Sequence, residues 1–414
     1  MIAAAVLHPG TQHSWQTALA LQQLGRLAFY ATSIFHKPGA WPYRLETLLP
    51  PRLAAPLAAE FRRFAHPALD PALVRTHGWH EWAERIAARA GFPALAGQLN
   101  QIGNEAFGRH FAAELAGRDD LAIWAYNSSA LPLFRAASQA PKIYDRTTPD
   151  LRAINRILDD LEAEHPAWIT NPGQRYTPER IALEEEEMAL ADHILTGSEF
   201  AAQSLADEAG PAIAAKTRLL PYCYDSVLFD SLPPPRALSP GEPVRFLFAG
   251  TASARKGVHL ACEAIARLPE HAASLTILGR LDMPAAAFAP FAERVRHIPH
   301  VARSQVPQIM AEHHTLIFPS LFEGGGIVLY EALAAGCALI QTPRASHAVT
   351  SETGLLLPNL TSAAVQDAMM TCIEDRDRLN RWRTAAPARA RHFSFARYRD
   401  NIATLLAKID AARR

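Results

Sequence analysis

Two glutamates, Glu323 and Glu331, stand eight residues apart in "FPSLFEGGGIVLYEALAAG" (318–336), and three glycines follow the first of them. Carboxylates accept hydrogen bonds from hydroxyl groups. Consecutive glycines let a backbone turn sharply and approach a ligand closely. "TLIFPS", just upstream, reads as a strand, and a helix is expected from Ile327. The first N–H groups of that helix are unpaired and lie at the positive end of its dipole, which suits a phosphate. Glu331 follows about 6 Å along the axis. One acid then lies beside an anion and one beyond it, so the pair could grip sugar and ribose hydroxyls on either side of a pyrophosphate. Two acids at this spacing carry little alone. The strand, the glycines, the helix start and Gly336 together carry the reading.

A second corner, "GTASARKGVHLACEAI", places Arg255 and Lys256 just before another helix. Fixed cations there can hold a pyrophosphate and stabilise it as it departs. The segment is not a phosphate-binding P-loop, because Gly257 stands where a Ser or Thr would follow the lysine.

These corners need a scaffold, and the chain alternates short apolar runs with helical stretches. "IAAAVL", "RLAFYATS", "LAIWAYN", "PKIYD", "DHILTGS" and "TRLLPYC" read as strands of one parallel sheet, with a mostly helical and looped stretch over 38–118. "DSLPPPRALSPGEP" (230–243) holds five prolines and one glycine and reads as an interdomain linker. Beyond it the alternation restarts with "VRFLFAG", "SLTILG", "TLIFPS" and "ALIQT". The expected organisation is an N-terminal Rossmann-like domain over 1–229, binding the acceptor, the linker 230–243, and a nucleotide-sugar-binding domain over 244–393. A closing amphipathic helix, 394–414, is expected to pack back toward the first domain. The fold class is α/β, with two doubly wound parallel sheets facing across a cleft at their carboxyl ends, where ligands of such sheets bind.

Composition narrows the function. The 414 residues carry 41 Lys+Arg against 41 Asp+Glu, which lacks the basic footprint of nucleic-acid binding. Cys223, Cys262, Cys337 and Cys372 have no pairwise or metal-like spacing and read as reduced cytoplasmic thiols. "MIAAAVLHPG" lacks the basic start of a signal peptide, and no apolar run reaches the roughly 20 residues of a spanning helix. "FRRFAHPALDPALVRTHGWHEWAERIAARAG" mixes Arg with Phe and Trp. It reads as an amphipathic surface segment and leaves peripheral contact with the inner membrane face open.

"FPSLFEGGGIVLYEALAAGCALIQT" resembles the signature of the family 4 (group 1) retaining glycosyltransferases of GT-B fold. Their pattern is Pro-Ser, then Glu-Gly-aromatic-Gly, a second Glu eight residues after the first, and small-x-Gly-x-Pro. Gly325 stands where the aromatic is usual and Ala338 where the proline is. The resemblance implies that Glu323 contacts the donor sugar and Glu331 the ribose. The backbone around Gly324, Gly325, Gly326 and Ile327 would meet sugar and phosphates. The family's Gly-Arg…Lys-Gly corner is matched by Gly250, Lys256 and Gly257. Thr251 replaces the arginine, and Arg255 is the neighbouring cation that would supply its charge. "VRHIPHV" resembles the nucleobase loop, with Pro299 in place of glycine, and Gly10 lies at the first strand-to-helix corner, beside His8 and His13. The resemblance runs well from about Leu190 to Arg399 and only loosely before that. Where the family often has a histidine near the reacting centre, "KIYDRTTP" offers Asp145 and Arg146, and "WAYNSSA" offers Tyr126 and Asn127. Asp145 is therefore taken as a catalytic candidate beside Glu323, Lys256 and Arg255.

Other signals are discounted. Asp375 and Asp377 imitate a metal-binding acid pair, but residues two apart on a helix point to different sides. His77, His80 and Glu84 have ligand-like spacing with no further ligand in view, and Glu184–Glu187 reads as a solvated helical face. The resemblance thus implies a hexosyl-type transferase of polysaccharide biosynthesis. It would transfer with retention from a nucleoside-diphosphate sugar to an acceptor hydroxyl, using neither a metal nor a further cofactor. The acceptor could be a carbohydrate, a lipid-linked sugar or a small molecule. A nucleotide-sugar epimerase on the same fold and a catalytically silent sugar-nucleotide-binding subunit are the alternatives, separated by acceptor dependence and by product release.

Overall fold

The computed structural model describes residues 1–10, 13–137 and 139–413; Thr11 and Gln12 of the first glycine corner lie outside them. Contacts divide the chain into two compact units, 1–146 with 182–195 and 399–414, and 147–181 with 196–398.

The first sheet has seven strands: β1 (Ala3–Leu7), β2 (Leu27–Thr32), β3 (Val74–Thr76), β4 (Leu121–Tyr126), β5 (Lys142–Arg146), β6 (His193–Thr196) and β7 (Thr217–Leu219). Their order is β3-β2-β1-β4-β5-β6-β7. The chain winds outward from β1 to β3, then returns to the other side of β1 and winds to β7. β1 lies between β2 and β4, parallel to both, and β4 is buried at all six positions. Such near-continuous apolar runs suit strands covered by helices on both faces. The 38–118 stretch forms helices, among them Trp79–Arg89 and Pro93–Leu115. Trp79, Ile86, Phe92, Leu95 and Ile102, on or beside these two helices, are each 47% to 67% exposed. No helix among the described residues is long and apolar enough to cross a membrane. The helix Phe395–Ala412 contributes Asp410 to the first unit, where it accepts from the Ile2 N–H at 2.7 Å and pairs with Arg26 at 3.0 Å.

The acidic run 184–187 departs from the solvated face expected of it. Glu184 and Glu187 are 2% and 0% exposed. Three residues apart on the helix Pro178–Leu190, they share a face, and that face meets Tyr144 and Arg146, which alternate along β5. Arg146 pairs with Glu184 at 2.5 Å. Glu187 accepts from the Tyr144 hydroxyl at 2.7 Å and from the N–H groups of Ser128, Ala130 and Leu131 at 2.9 to 3.1 Å. Burial pushes its carboxyl above the usual range. Glu187→Ala strands four donors and is expected to cost about 3 kcal/mol or more in denaturant unfolding, with Glu187→Gln losing less.

The second unit holds β8 (Val244–Ala249), β9 (Ala252–Ser253), β10 (Ala273–Leu278), β11 (Leu281–Asp282), β12 (Val295–Ile298), β13 (Thr315–Phe318), β14 (Ala338–Gln341) and β15 (Gly354–Leu356). β9 and β11 form a small ribbon, and the rest form a sheet in the order β12-β10-β8-β13-β14-β15. Every pairing in it is parallel. Strand order reverses between β8 and β13, so the loops leaving these neighbours share the crevice at the carboxyl end of the sheet.

Two boundaries fall elsewhere than the sequence suggests. By its contacts the proline-rich run, expected as the linker, lies within the second unit. Leu238 donates its N–H to Asn380 at 2.8 Å, Arg383 donates to the Arg236 carbonyl at 2.6 Å, and Pro235 packs where Gly336 has no side chain. Residues 147–181 also join the second unit. Leu151, Ile154 and Leu161 on the helix Leu151–Glu164 enter the hydrophobic cluster that holds Phe246, Val258 and Phe322.

Candidate active site

The two corners singled out by residue type are the loops after β8 and β13, side by side at the switch point of the second sheet. After β8, Gly250 takes φ 119° and Gly257 takes φ 73°, a backbone conformation that disfavours residues with side chains. Arg255 and Lys256 lie on the short 3-10 turn Ala254–Lys256, and Gly257 caps the helix Val258–Ala266. A Cβ on Gly257 would stand 2.2 Å from the Pro319 carbonyl. The Leu321 N–H donates to the Arg255 carbonyl at 2.9 Å. The two loops are thus in direct backbone contact.

Three side chains converge on one oxygen of Glu323. Lys256 Nζ lies 2.5 Å from Oε1, the Ser320 hydroxyl donates to it at 2.8 Å, and an Arg255 nitrogen lies 3.5 Å away. Arg255 also donates to the Phe322 carbonyl at 3.1 Å and covers the Phe322 ring. The Glu323 backbone is fixed at both ends: its N–H donates to the Arg344 carbonyl, and its carbonyl accepts from the Ser198 hydroxyl, each at 2.9 Å. The carboxylate is therefore held by its neighbours through Oε1.

The glycines after Glu323 have separate reasons. A Cβ on Gly324 would stand 1.7 Å from the Thr147 carbonyl oxygen. A Cβ on Gly325 would stand 2.7 Å from the Tyr222 ring, which also presses on Gly197. The ring of Tyr222 thus crowds the position where the resemblance expects an aromatic. Gly326, at φ 103°, caps the eight-residue helix Ile327–Ala334, and no side chain caps that end. The Leu329 N–H donates to the Gly326 carbonyl at 2.9 Å, and the N–H groups ahead of it are those that a helix leaves without an intrahelical acceptor.

Glu331 is 6% exposed, and Arg303 pairs with its Oε1. Burial holds its carboxyl above the usual range. Arg303 went unnoticed in the sequence, because 28 residues separate the partners and no local spacing links them. Thr251 is half-buried beside Gly250, and Pro299 is exposed just past β12. That segment, read from sequence as a loop, is a strand up to Ile298, whose carbonyl accepts from the Gly279 N–H at 2.9 Å.

Gly10 and Asp145 belong to the first unit. Gly10 donates its N–H to His8 Nδ1 at 2.7 Å, and burial lowers the His8 pKa to about 4, keeping the ring a neutral acceptor. Asp145 is 1% exposed and accepts from the Trp124 indole at 3.1 Å. The structure thus encloses this carboxylate, expected from the sequence as a catalytic candidate, against the Trp124 indole. Of the discounted groups, His77 stacks on His110, and Asp375 caps the helix Arg376–Ala390 by accepting from the Arg378 N–H.

A cavity of about 580 Å³ adjoins this corner, lined by Arg255, Phe322, Glu323 and Gly324 together with residues of the 147–176 segment. Sequence reasoning missed the contribution of that segment, having placed it in the first domain.

Residues 243–375 match the family described as Glycosyl transferases group 1. Over 176 residues the chain is 32% identical to the D-inositol 3-phosphate glycosyltransferase of Nocardia farcinica, covering 38% of this chain and 39% of that protein. The chain thus spans about two fifths of that relative's length. Sucrose-phosphate synthase from Thermosynechococcus elongatus superposes with a TM-score of 0.64 at 16% identity, covering 100% of both chains. Anabaena Alr3699/HepE in complex with UDP-glucose superposes with a TM-score of 0.61 at 15% identity, covering 99% of this chain and 100% of that one. At these identities the likeness shows the fold. It is the GT-B class expected from the sequence, with two Rossmann-like α/β domains.

Proposed function

We propose, from the match of residues 243–375 to the family described as Glycosyl transferases group 1, that this protein transfers a sugar from a nucleoside diphosphate to an acceptor hydroxyl. The observation that carries the reading is the gathering of Lys256, Ser320 and Arg255 on Glu323, one turn of backbone away from an uncapped helix start. The N–H groups after Gly326 receive the diphosphate. Lys256 and Arg255 stabilise the charge that grows on it as the bond to the sugar breaks. Glu323, its Oε1 held by three neighbours, offers Oε2 to the sugar hydroxyls. Glu331, with Oε1 on Arg303, offers Oε2 to the ribose, and the base lies by Pro299. Two fixed cations supply the positive charge that a metal would otherwise bring, so the transfer is read as metal-independent. The acceptor attacks on the face the diphosphate leaves, with retention. The complex of Anabaena Alr3699/HepE with UDP-glucose favours a hexose donor. The four buried cysteines suit a cytoplasmic enzyme. The exposed apolar residues near Trp79 and Ile86 favour peripheral contact with a membrane surface.

Thermal shift against UDP, GDP, ADP, CDP and TDP tests the donor site. One nucleotide should stabilise the protein, by about 2.7 kcal/mol at 100 times its dissociation constant. Glu331→Ala should lose most of that stabilisation while keeping the transition of the unliganded protein. No shift with any nucleotide overturns the reading, and an undiminished shift in Glu331→Ala overturns the ribose role.

A further inference from the structure

The cavity beside Arg255 and Glu323 lies entirely within the second unit. Its volume, about 580 Å³, falls within the range of roughly 300–1,000 Å³ of small-molecule sites. Its lining includes Arg255, Glu323 and Gly324 but not Gly325, Gly326, Ile327 or Glu331. It therefore touches the donor corner at the sugar end and leads away from the nucleotide end.

The far wall is built in advance. Tyr176 exchanges two backbone hydrogen bonds with the Asn155 side chain, both at 2.9 Å. The Gly173 N–H donates to Glu162 at 2.9 Å, and Arg175 donates to the Leu158 carbonyl at 3.0 Å. The loop 170–176 is thus clipped along the helix Leu151–Glu164. The lining side chains have a consistent chemistry. Trp168, Tyr176 and Phe322 present aromatic surface, and Asn171 and Gln174 present carboxamides. The charges are mutually engaged: Arg175 is tied to Asp159 at 2.7 Å and Glu162 at 2.8 Å, and Arg255 faces Glu323. The Thr148 hydroxyl, also in the lining, is buried without a hydrogen-bond partner.

We infer that this cavity holds the acceptor and that the acceptor is a neutral saccharide, free or as the end of a longer glycan; the inference rests on the transferase reading above. Sugar rings offer an apolar face to aromatic side chains and hydroxyls to carboxamides. An anionic ligand would have to draw Arg175 or Arg255 away from its carboxylate partners. Seated here, an acceptor hydroxyl oxygen forms the new bond to the anomeric carbon. The bond from that carbon to the diphosphate oxygen breaks, and the hydroxyl proton passes to the released diphosphate.

Saturation-transfer NMR with maltose, sucrose, methyl α-glucoside and glucose 6-phosphate tests the site, on wild type and on Tyr176→Ala and Asn171→Ala. At least one neutral probe should bind, with affinity about tenfold weaker in each variant, while the nucleotide thermal shift stays at the wild-type value and reports intact folding. The inference is overturned if no neutral probe binds, if only glucose 6-phosphate binds, or if the variants bind as wild type does. A nucleotide shift without saccharide binding refutes the acceptor site alone. Saccharide binding that both variants weaken, without any nucleotide shift, refutes the donor reading and leaves this cavity standing.

Discussion

Lys256→Ala is expected to lower turnover about 10²- to 10³-fold, with a much smaller change in nucleotide affinity. The lysine and Glu323 are largely shielded, with side chains 18% and 13% exposed, and stand 2.5 Å apart. In such surroundings a fixed cation acts strongly on charge that develops in the transition state. Removing it also frees the carboxylate it holds, so part of the loss is misplacement of Glu323. Glu323→Ala should cost a similar factor. The double variant should then lose far less than the product of the two single losses, because the pair acts as a unit. Single-turnover rates at saturating donor check this. Near-normal turnover in either variant would remove that residue from the mechanism.

Gly324→Ala is expected to abolish measurable turnover, a loss of at least about 10²-fold, although nothing charged is touched. The added Cβ would meet the Thr147 carbonyl oxygen at 1.7 Å and its carbon at 2.4 Å. Both are backbone atoms, so the loop carrying Glu323 has to move. Gly325→Phe, which writes the family's aromatic back into the signature, should also fail, because the Tyr222 ring lies 2.7 Å from where the Cβ would stand. The two failures differ in their remedy. Tyr222→Ala should restore much of the activity of Gly325→Phe and none of that of Gly324→Ala. Rescue of both, or of neither, would mean that the ring is not what crowds this position.

The longer strands and both chemical corners were legible because they combine strong local signals: apolar runs of four to six residues ending in glycine, proline or serine, followed by a helix start. β3, β9, β11 and β15, at two or three residues each, are too short for a periodic signal. The allegiance of residues 147–181 was not legible for another reason. Leu151, Ile154 and Leu161 announce an apolar helical stripe, but a stripe does not say which core it will enter. The acidic run failed because composition outweighed position. Four adjacent acids look solvated until Tyr144 and Arg146 are seen to face two of them. Arg303 and Tyr222 meet Glu331 and Gly325 only through the fold, so no spacing could have revealed them.

The chain passes from one unit to the other four times, near residues 146, 181, 195 and 398. No continuous stretch of the gene therefore encodes either unit. A fragment that ended at Arg146 would carry Tyr144 and Arg146 but not Glu184 and Glu187, and would leave a buried cation exposed without its partner. A single crossover between this gene and a distant relative, wherever it fell within 147–398, would join mismatched halves of at least one core. Point changes in the 147–176 segment would instead alter the lining of the cavity without interrupting either sheet.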